Sequence, residues 1–140
     1  MSVEIENMDS VIEALTNILD EKKFIAAMRK SCAMVERSAK QKAPKGDGIL
    51  RRSITSSIQQ EGNNIIGLVF TPLEYAPYVE YGTGLFAVNG GRKDVPWCYQ
   101  DDKGDWHTTS GQNPKPFMMP ALNENRAAII ENFRRATSND

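Results

Sequence analysis

Residues 53–70, SITSSIQQEGNNIIGLVF, decide the fold. Ile54 and Ile58 alternate with polar residues between Ser53 and Glu61, the period-two pattern of a strand with one face in water. Glu61-Gly62-Asn63-Asn64 supplies turn chemistry, because glycine and asparagine tolerate backbone conformations that other residues resist. Ile65 to Phe70 is then apolar apart from Gly67, so it reads as a central strand covered on both faces. Residues 53–71 thus form a β-hairpin, and its dry side needs a partner.

The chain upstream supplies that partner. Val11, Ile12, Leu15, Ile18 and Leu19 recur at the three-to-four spacing of a helical face, with Asp9 or Ser10 as N-cap and Glu13 placed for a capping box with Ser10. Asp20-Glu21-Lys22-Lys23 is either an exposed turn of helix or a break. Ile25, Met28, Cys32, Val35 and Ala39 resume the stripe, and Lys40 and Lys42 suit the negative pole of a helix. Pro44 and Gly46 stop it. Residues 9–43 are therefore helical, as one long helix or as a short one followed by a long one.

Downstream, residues 74–84 read as a short helix and turn. Pro77 falls where a first helical turn tolerates it, and Tyr75, Tyr78 and Tyr81 share a face. Gly82-Thr83-Gly84 allows a sharp reversal, and Asn89 to Lys93 looks like a loop tip. Residues 85–113 make a loop and a second hairpin. Trp97, Tyr99 and Trp106 supply strand propensity, and Asp101-Asp102-Lys103-Gly104 supplies a turn with glycine in the left-handed position. Pro120 opens a last helix over residues 120–136, with Leu122, Ile129, Phe133 and Ala136 on its apolar stripe. Thr137 to Asp140 should fray. The expected fold is α+β in a single domain, 1–140: a long N-terminal amphipathic helix packed on a small antiparallel β-sheet, with a C-terminal helix and an inserted hairpin.

Composition narrows the function. The 140 residues are 40% hydrophobic and 25% charged, ordinary globular values. Seventeen basic against eighteen acidic residues leave a net charge of −1, so generic nucleic-acid binding is disfavoured for want of surplus cations. Basic residues do concentrate in 22–52 (Arg29, Lys30, Arg37, Lys40, Lys42, Lys45, Arg51 and Arg52), which keeps a DNA-contacting module as the alternative. No run approaches a membrane span and Met1 to Ser10 carries no apolar signal segment, which predicts a soluble intracellular protein with Cys32 and Cys98 reduced.

Catalytic chemistry finds little support. His107 is the only histidine, and a dyad with Cys98 has no orienting partner in the flanking sequence. One His and two Cys do not complete a structural zinc site. Asp101, Asp102 and Asp105 lack the spacing of a calcium loop and read as a solvated turn. Gly82-x-Gly84 and Gly46-x-Gly48 lack the rest of any phosphate-binding pattern, so turn glycines account for them. No catalytic residue, metal or cofactor is expected. The informative feature is instead an excess of large apolar side chains in predicted loops, the residue types enriched at buried interface centres. Tyr78, Tyr81, Leu85, Phe86, Trp97, Trp106, Phe117, Met118 and Met119 are the candidate interface residues.

Three blocks, in order, carry a family resemblance. Ala43-Pro44-Lys45-Gly46-Asp47-Gly48-Ile49-Leu50-Arg51-Arg52-Ser53-Ile54 resembles an "AP-x-x-(T/D)-G-x-L-(R)-x-S-I" segment, though its turn is one residue looser than the commoner "x-D-T-G". Tyr75 to Gly84 resembles "YA-x-x-(V)-E-(Y/F)-GT", and Pro114 to Leu122 resembles "P-x-PF-(L/M)-x-PAL". The hairpin segment from Pro96-Trp97 to Gly111 recurs in many members as well. Over residues 9–136 the chain is similar to the gene-product-ten-like tail-component family of tailed bacteriophages and prophages. The resemblance implies a virion structural protein of the neck or tail end, acting in tail completion or head–tail joining, with no catalytic residues. Its implied partners are tail-tube and head-connector proteins, and its implied location is the virion, with the host cytoplasm during assembly. A protein seated on a sixfold tail tube gains from repeating one heterologous contact until a ring closes, so a hexamer is the natural assembled state and a monomer the free one.

Overall fold

A computed structural model describes residues 1–62, 64–88 and 94–137, apart from 7–20. The expected helical turns of 9–20, the loop tip Asn89–Lys93 and the fraying of 138–140 lie outside the described residues. The chain divides into two compact units, Met1–Pro72 with Phe117–Asp140, and Leu73–Pro116. The architecture is the α+β arrangement that the sequence predicts.

In the first unit, strands β1 (Ser2–Glu6), β2 (Thr55–Glu61) and β3 (Asn64–Phe70) form an antiparallel sheet of order β1-β3-β2. The β2–β3 hairpin is as expected, with Ile58 opposite Gly67. β3 is central because β1 pairs with its other edge, Val3 opposite Val69 and Ile5 opposite Gly67. Val3, Ile5, Ile65 and Val69 are buried on the inner face. The outer face departs from expectation: Ile66, Leu68 and Phe70 remain half-exposed. Pairing on both edges makes β3 central whatever covers its faces, so apolarity on two sides does not require two layers.

Helix α1 (Glu21–Lys42) lies across the inner face. It packs directly on Gly67, where a Cβ would stand 2.8 Å from Met28 Sδ and collide with Cys32 Sγ. The buried stripe is Phe24, Ala27, Met28, Ser31, Cys32, Val35 and Ala39. Phe24 takes the core position expected for Ile25, since the ring of Phe24 meets Phe133 with centroids 5.0 Å apart. Helix α4 (Met118–Thr137) runs antiparallel to α1: Lys42 Nζ pairs with Glu124 at 2.7 Å, Asn125 Nδ2 donates to Ser38 Oγ at 2.8 Å, and Asn132 Nδ2 donates to Ser31 Oγ at 3.1 Å. Two serines and two asparagines, each pair seven residues apart, meet in a two-rung polar ladder that fixes how the helices slide on one another.

Between helix and hairpin, Pro44 to Gly48 turns the chain. Asp47 Oδ1 accepts the Ile49 N–H at 3.0 Å, and Gly48 holds φ +81°. Ile49–Ser53 then forms a short helix α2, where the sequence predicts no element before the hairpin opens at residue 53. Ser53 Oγ meets Thr71 Oγ1 at 2.7 Å, tying the end of α2 to the residue that follows β3.

The second unit holds helix α3 (Ala76–Tyr81), a 3₁₀ turn over Gly84–Phe86, and the hairpin β4 (Trp97–Gln100) and β5 (Trp106–Thr109). Its organising feature is a short backbone ladder. The N–H groups of Thr83 and Leu85 donate to the carbonyls of Gln112 and Ser110, both at 2.9 Å, and the Gln112 N–H donates to Thr83 Oγ1 at 2.9 Å. Gly84 at φ +60° and Gly111 at φ +119° sit where these segments touch, and a Cβ on Gly84 would be 2.7 Å from the Trp97 ring.

A candidate interaction surface

The second unit exposes its large apolar side chains. Among the expected interface residues, Trp106 is 71% exposed, Leu85 64% and Tyr78 61%, and Phe86 is also exposed. Tyr81 and Trp97 are half-buried. The sequence reading did not list Tyr75, Val88 and Tyr99, yet all three are exposed on the same unit. Val88 is 69% exposed, and its adjacency to Leu85 and Phe86 in a turn-rich segment was the available signal.

Alternation across the hairpin sorts these groups. Trp97 is opposite Thr109 and Tyr99 opposite His107, so those four share one face. Trp97 rests on Gly84 there, and Tyr99 stacks on the His107 ring at 5.2 Å. Trp106 projects from the other face. Met119 is exposed but belongs to the first unit.

Phe117 and Met118 require correction. Both have 0% exposure and are core side chains of the first unit. They stand at the start of α4, where the chain enters its packed face, so the apolar run that looks like a docking arm is spent on the interior. They are no part of the exposed surface.

Cys98 pairs in register with Thr108, and its Sγ lies 3.4 Å from Thr108 Oγ1. Cys98 and His107 therefore point to opposite faces of the hairpin, which removes the dyad. Both cysteines are free thiols. Burial, with Glu36 adding to it, pushes the Cys32 thiol up to about 11, so it stays protonated and unreactive at neutral pH. Among the described residues no group of His, Cys, Asp or Glu could hold a metal ion, and no helix is long and apolar enough to cross a membrane.

Asp101 organises the hairpin tip. Its Oδ1 accepts the N–H groups of Lys103 and Asp105 at 2.9 Å, and its Oδ2 lies 2.7 Å from His107 Nε2. The His107 bond, followed by the backbone N–H of Asp105, holds the Asp101 carboxyl below the usual aspartate range. A carboxylate lowered by folding stabilises the tip above its unfolded titration and loses that contribution as pH falls through the lowered value. Acidification below the ordinary aspartate range should therefore loosen the tip. The Trp106 and His107 resonances should report one such transition, and Asp101→Asn should abolish it.

The described architecture is that of a small α+β protein whose distinctive surface is a set of exposed aromatic and aliphatic side chains on a glycine-laddered unit. A family model described as "Bacteriophage HK97-gp10, putative tail-component" matches residues 6–82, and the chain belongs to that family. The match contains the first sequence block and the second up to Gly82. The third block and the β4–β5 hairpin lie beyond it. Neither the curated proteins nor the solved structures contain a match to the chain.

Proposed function

We propose that this phage tail component acts in tail completion or head–tail joining at the neck or tail end, by packing its second unit against neighbouring subunits and tail-tube or head-connector proteins in a closed ring. The carrying observation is the exposure of Tyr78, Leu85, Phe86 and Trp106 on one compact unit. Covering each such side chain releases about 1.5–3 kcal/mol of apolar transfer free energy, and central aromatic anchors are where interface energy concentrates. Lysine- or glutamate-rich rims contribute far less, so the apolar groups should dominate affinity. The protein works by binding, in the virion and in the host cytoplasm during assembly, and no step of chemistry is assigned to it.

The test is complementation of a phage lacking this gene by a Tyr78→Ser, Leu85→Ser, Trp106→Ser triple variant. All three side chains are mostly solvated, so circular dichroism and melting should stay near wild type. Losing two or more anchors of about 2 kcal/mol each predicts a drop in infectious titre of roughly a hundredfold or more, with tailless heads and free tails visible by electron microscopy. A folded triple variant that yields normal tailed particles overturns the reading.

A further inference from the structure

The groove between α1 and α2 has a volume of about 370 Å³ and is lined by Ala33, Glu36, Arg37, Lys40, Gln41 and Arg51. Its charge is lopsided: three cations face one carboxylate, which pairs with Lys40 at 3.7 Å. Arg51 Nε is buried and has no hydrogen-bond acceptor among the described residues. A buried donor left without a partner is costly, about 1–3 kcal/mol, and a guanidinium prefers a planar carboxylate that engages it twice.

The same chain carries a feature of opposite charge. The β4–β5 turn presents Asp101, Asp102 and Asp105 around a single Lys103. Asp101 is occupied inside the turn, while the Asp102 and Asp105 side chains are exposed. The tip is stiffened before any encounter by the Gln100 Nε2 bond to the Gly104 carbonyl at 2.8 Å and the Asp101 N–H bond to the Asp105 carbonyl at 2.9 Å. A rigid acidic tip loses little entropy on docking.

We propose that the acidic hairpin tip of one copy docks into the Arg37–Lys40–Arg51 groove of a second copy. The two patches are different surfaces, so the contact is heterologous and can repeat head to tail around a ring. The inference rests on the ring reading above and specifies its electrostatic half: apolar side chains supply affinity, and the charge pair sets which neighbour and which orientation are accepted.

A zero-length carbodiimide cross-link tests it, because that reagent joins a lysine amine to a carboxylate only when they touch. Full-length ¹⁵N-labelled and unlabelled chains are mixed at high concentration, so that a link between copies contains both isotopes. The expected product joins Lys40 of one isotope to Asp102 or Asp105 of the other. Its yield should fall about tenfold or more in Arg37→Glu, Arg51→Glu chains, where attraction becomes repulsion, and also at high salt, which screens exposed charge. In sedimentation, Asp102→Arg, Asp105→Arg chains should associate poorly alone and recover when mixed with Arg37→Glu, Arg51→Glu chains.

Cross-links between copies that avoid Lys40 overturn the inference and leave the ring reading standing. A Lys40–Asp102 or Lys40–Asp105 product of single isotope only, or no recovery in the charge-swapped mixture, also overturns it. A short DNA duplex that is bound by wild type, lost in the Arg37→Glu, Arg51→Glu variant and competitive with the cross-link assigns the groove to phosphate instead. Chains that remain single at every concentration overturn the inference and leave the ring reading standing, because that reading expects a monomer until the protein meets the tail tube.

Discussion

Gly84→Val should disorder the second unit while the helix pair of the first stays folded. Gly84 holds φ +60°, a left-handed conformation that costs a residue with a Cβ about 1–2 kcal/mol. Its Cβ would also collide with the Ser110 carbonyl, the acceptor of the Leu85 N–H, and press on the Trp97 ring at 2.7 Å. Overpacking of this kind adds about 1–3 kcal/mol, and a β-branched side chain has few rotamers with which to escape. The affected contacts all belong to residues 73–116. Hydrogen exchange should therefore speed up at Thr83, Leu85 and Gln112, with the α1 and α4 amides unchanged. Assembly should fail for loss of the surface's scaffold. Unaltered protection at Leu85 would refute this account of the ladder.

Phe133→Ala should act on the other unit and far more globally. Phe133 is fully buried and meets Phe24 across the antiparallel helix pair. Truncating a buried phenylalanine costs about 3–5 kcal/mol, a large share of the 5–15 kcal/mol typical of a domain. Urea unfolding should show a much lower midpoint with an unchanged slope. Leu85→Ala provides the contrast: its side chain is 64% exposed, so the midpoint should move by no more than about 0.5 kcal/mol equivalent. If Leu85→Ala destabilised the chain as strongly as Phe133→Ala, Leu85 would be a core residue and no candidate for a partner.

The elements most readable in the sequence are those whose period is long or whose turns are explicit. α1 announces itself through Met28, Cys32, Val35 and Ala39, β2–β3 through the Glu61–Asn64 turn, and β4–β5 through Gly104, which holds φ +87°. β1 escaped because five residues with two inward positions, Val3 and Ile5, give too little periodicity to count, and their partner strand lies more than sixty residues away. The Ser31–Asn132 and Ser38–Asn125 rungs escaped for a related reason. Each residue alone reads as a polar interruption of an apolar stripe, and only the matched seven-residue spacings on two distant helices hint at a ladder.

Within the candidate surface, Tyr78, Leu85, Phe86 and Trp106 were legible as large apolar residues outside regular packing faces, whereas Phe117 and Met118 were legible as apolar but not as interior. Local order, turn positions, charge balance and the family blocks are properties of neighbours along the chain, so the amino-acid sequence alone determined them. Which greasy side chain is solvated, which face of the hairpin Cys98 and His107 occupy, and where Arg51 loses its acceptors depend on atoms brought together from remote positions. Only the tertiary structure decided those, because burial is a relation among segments and not a property of any one of them.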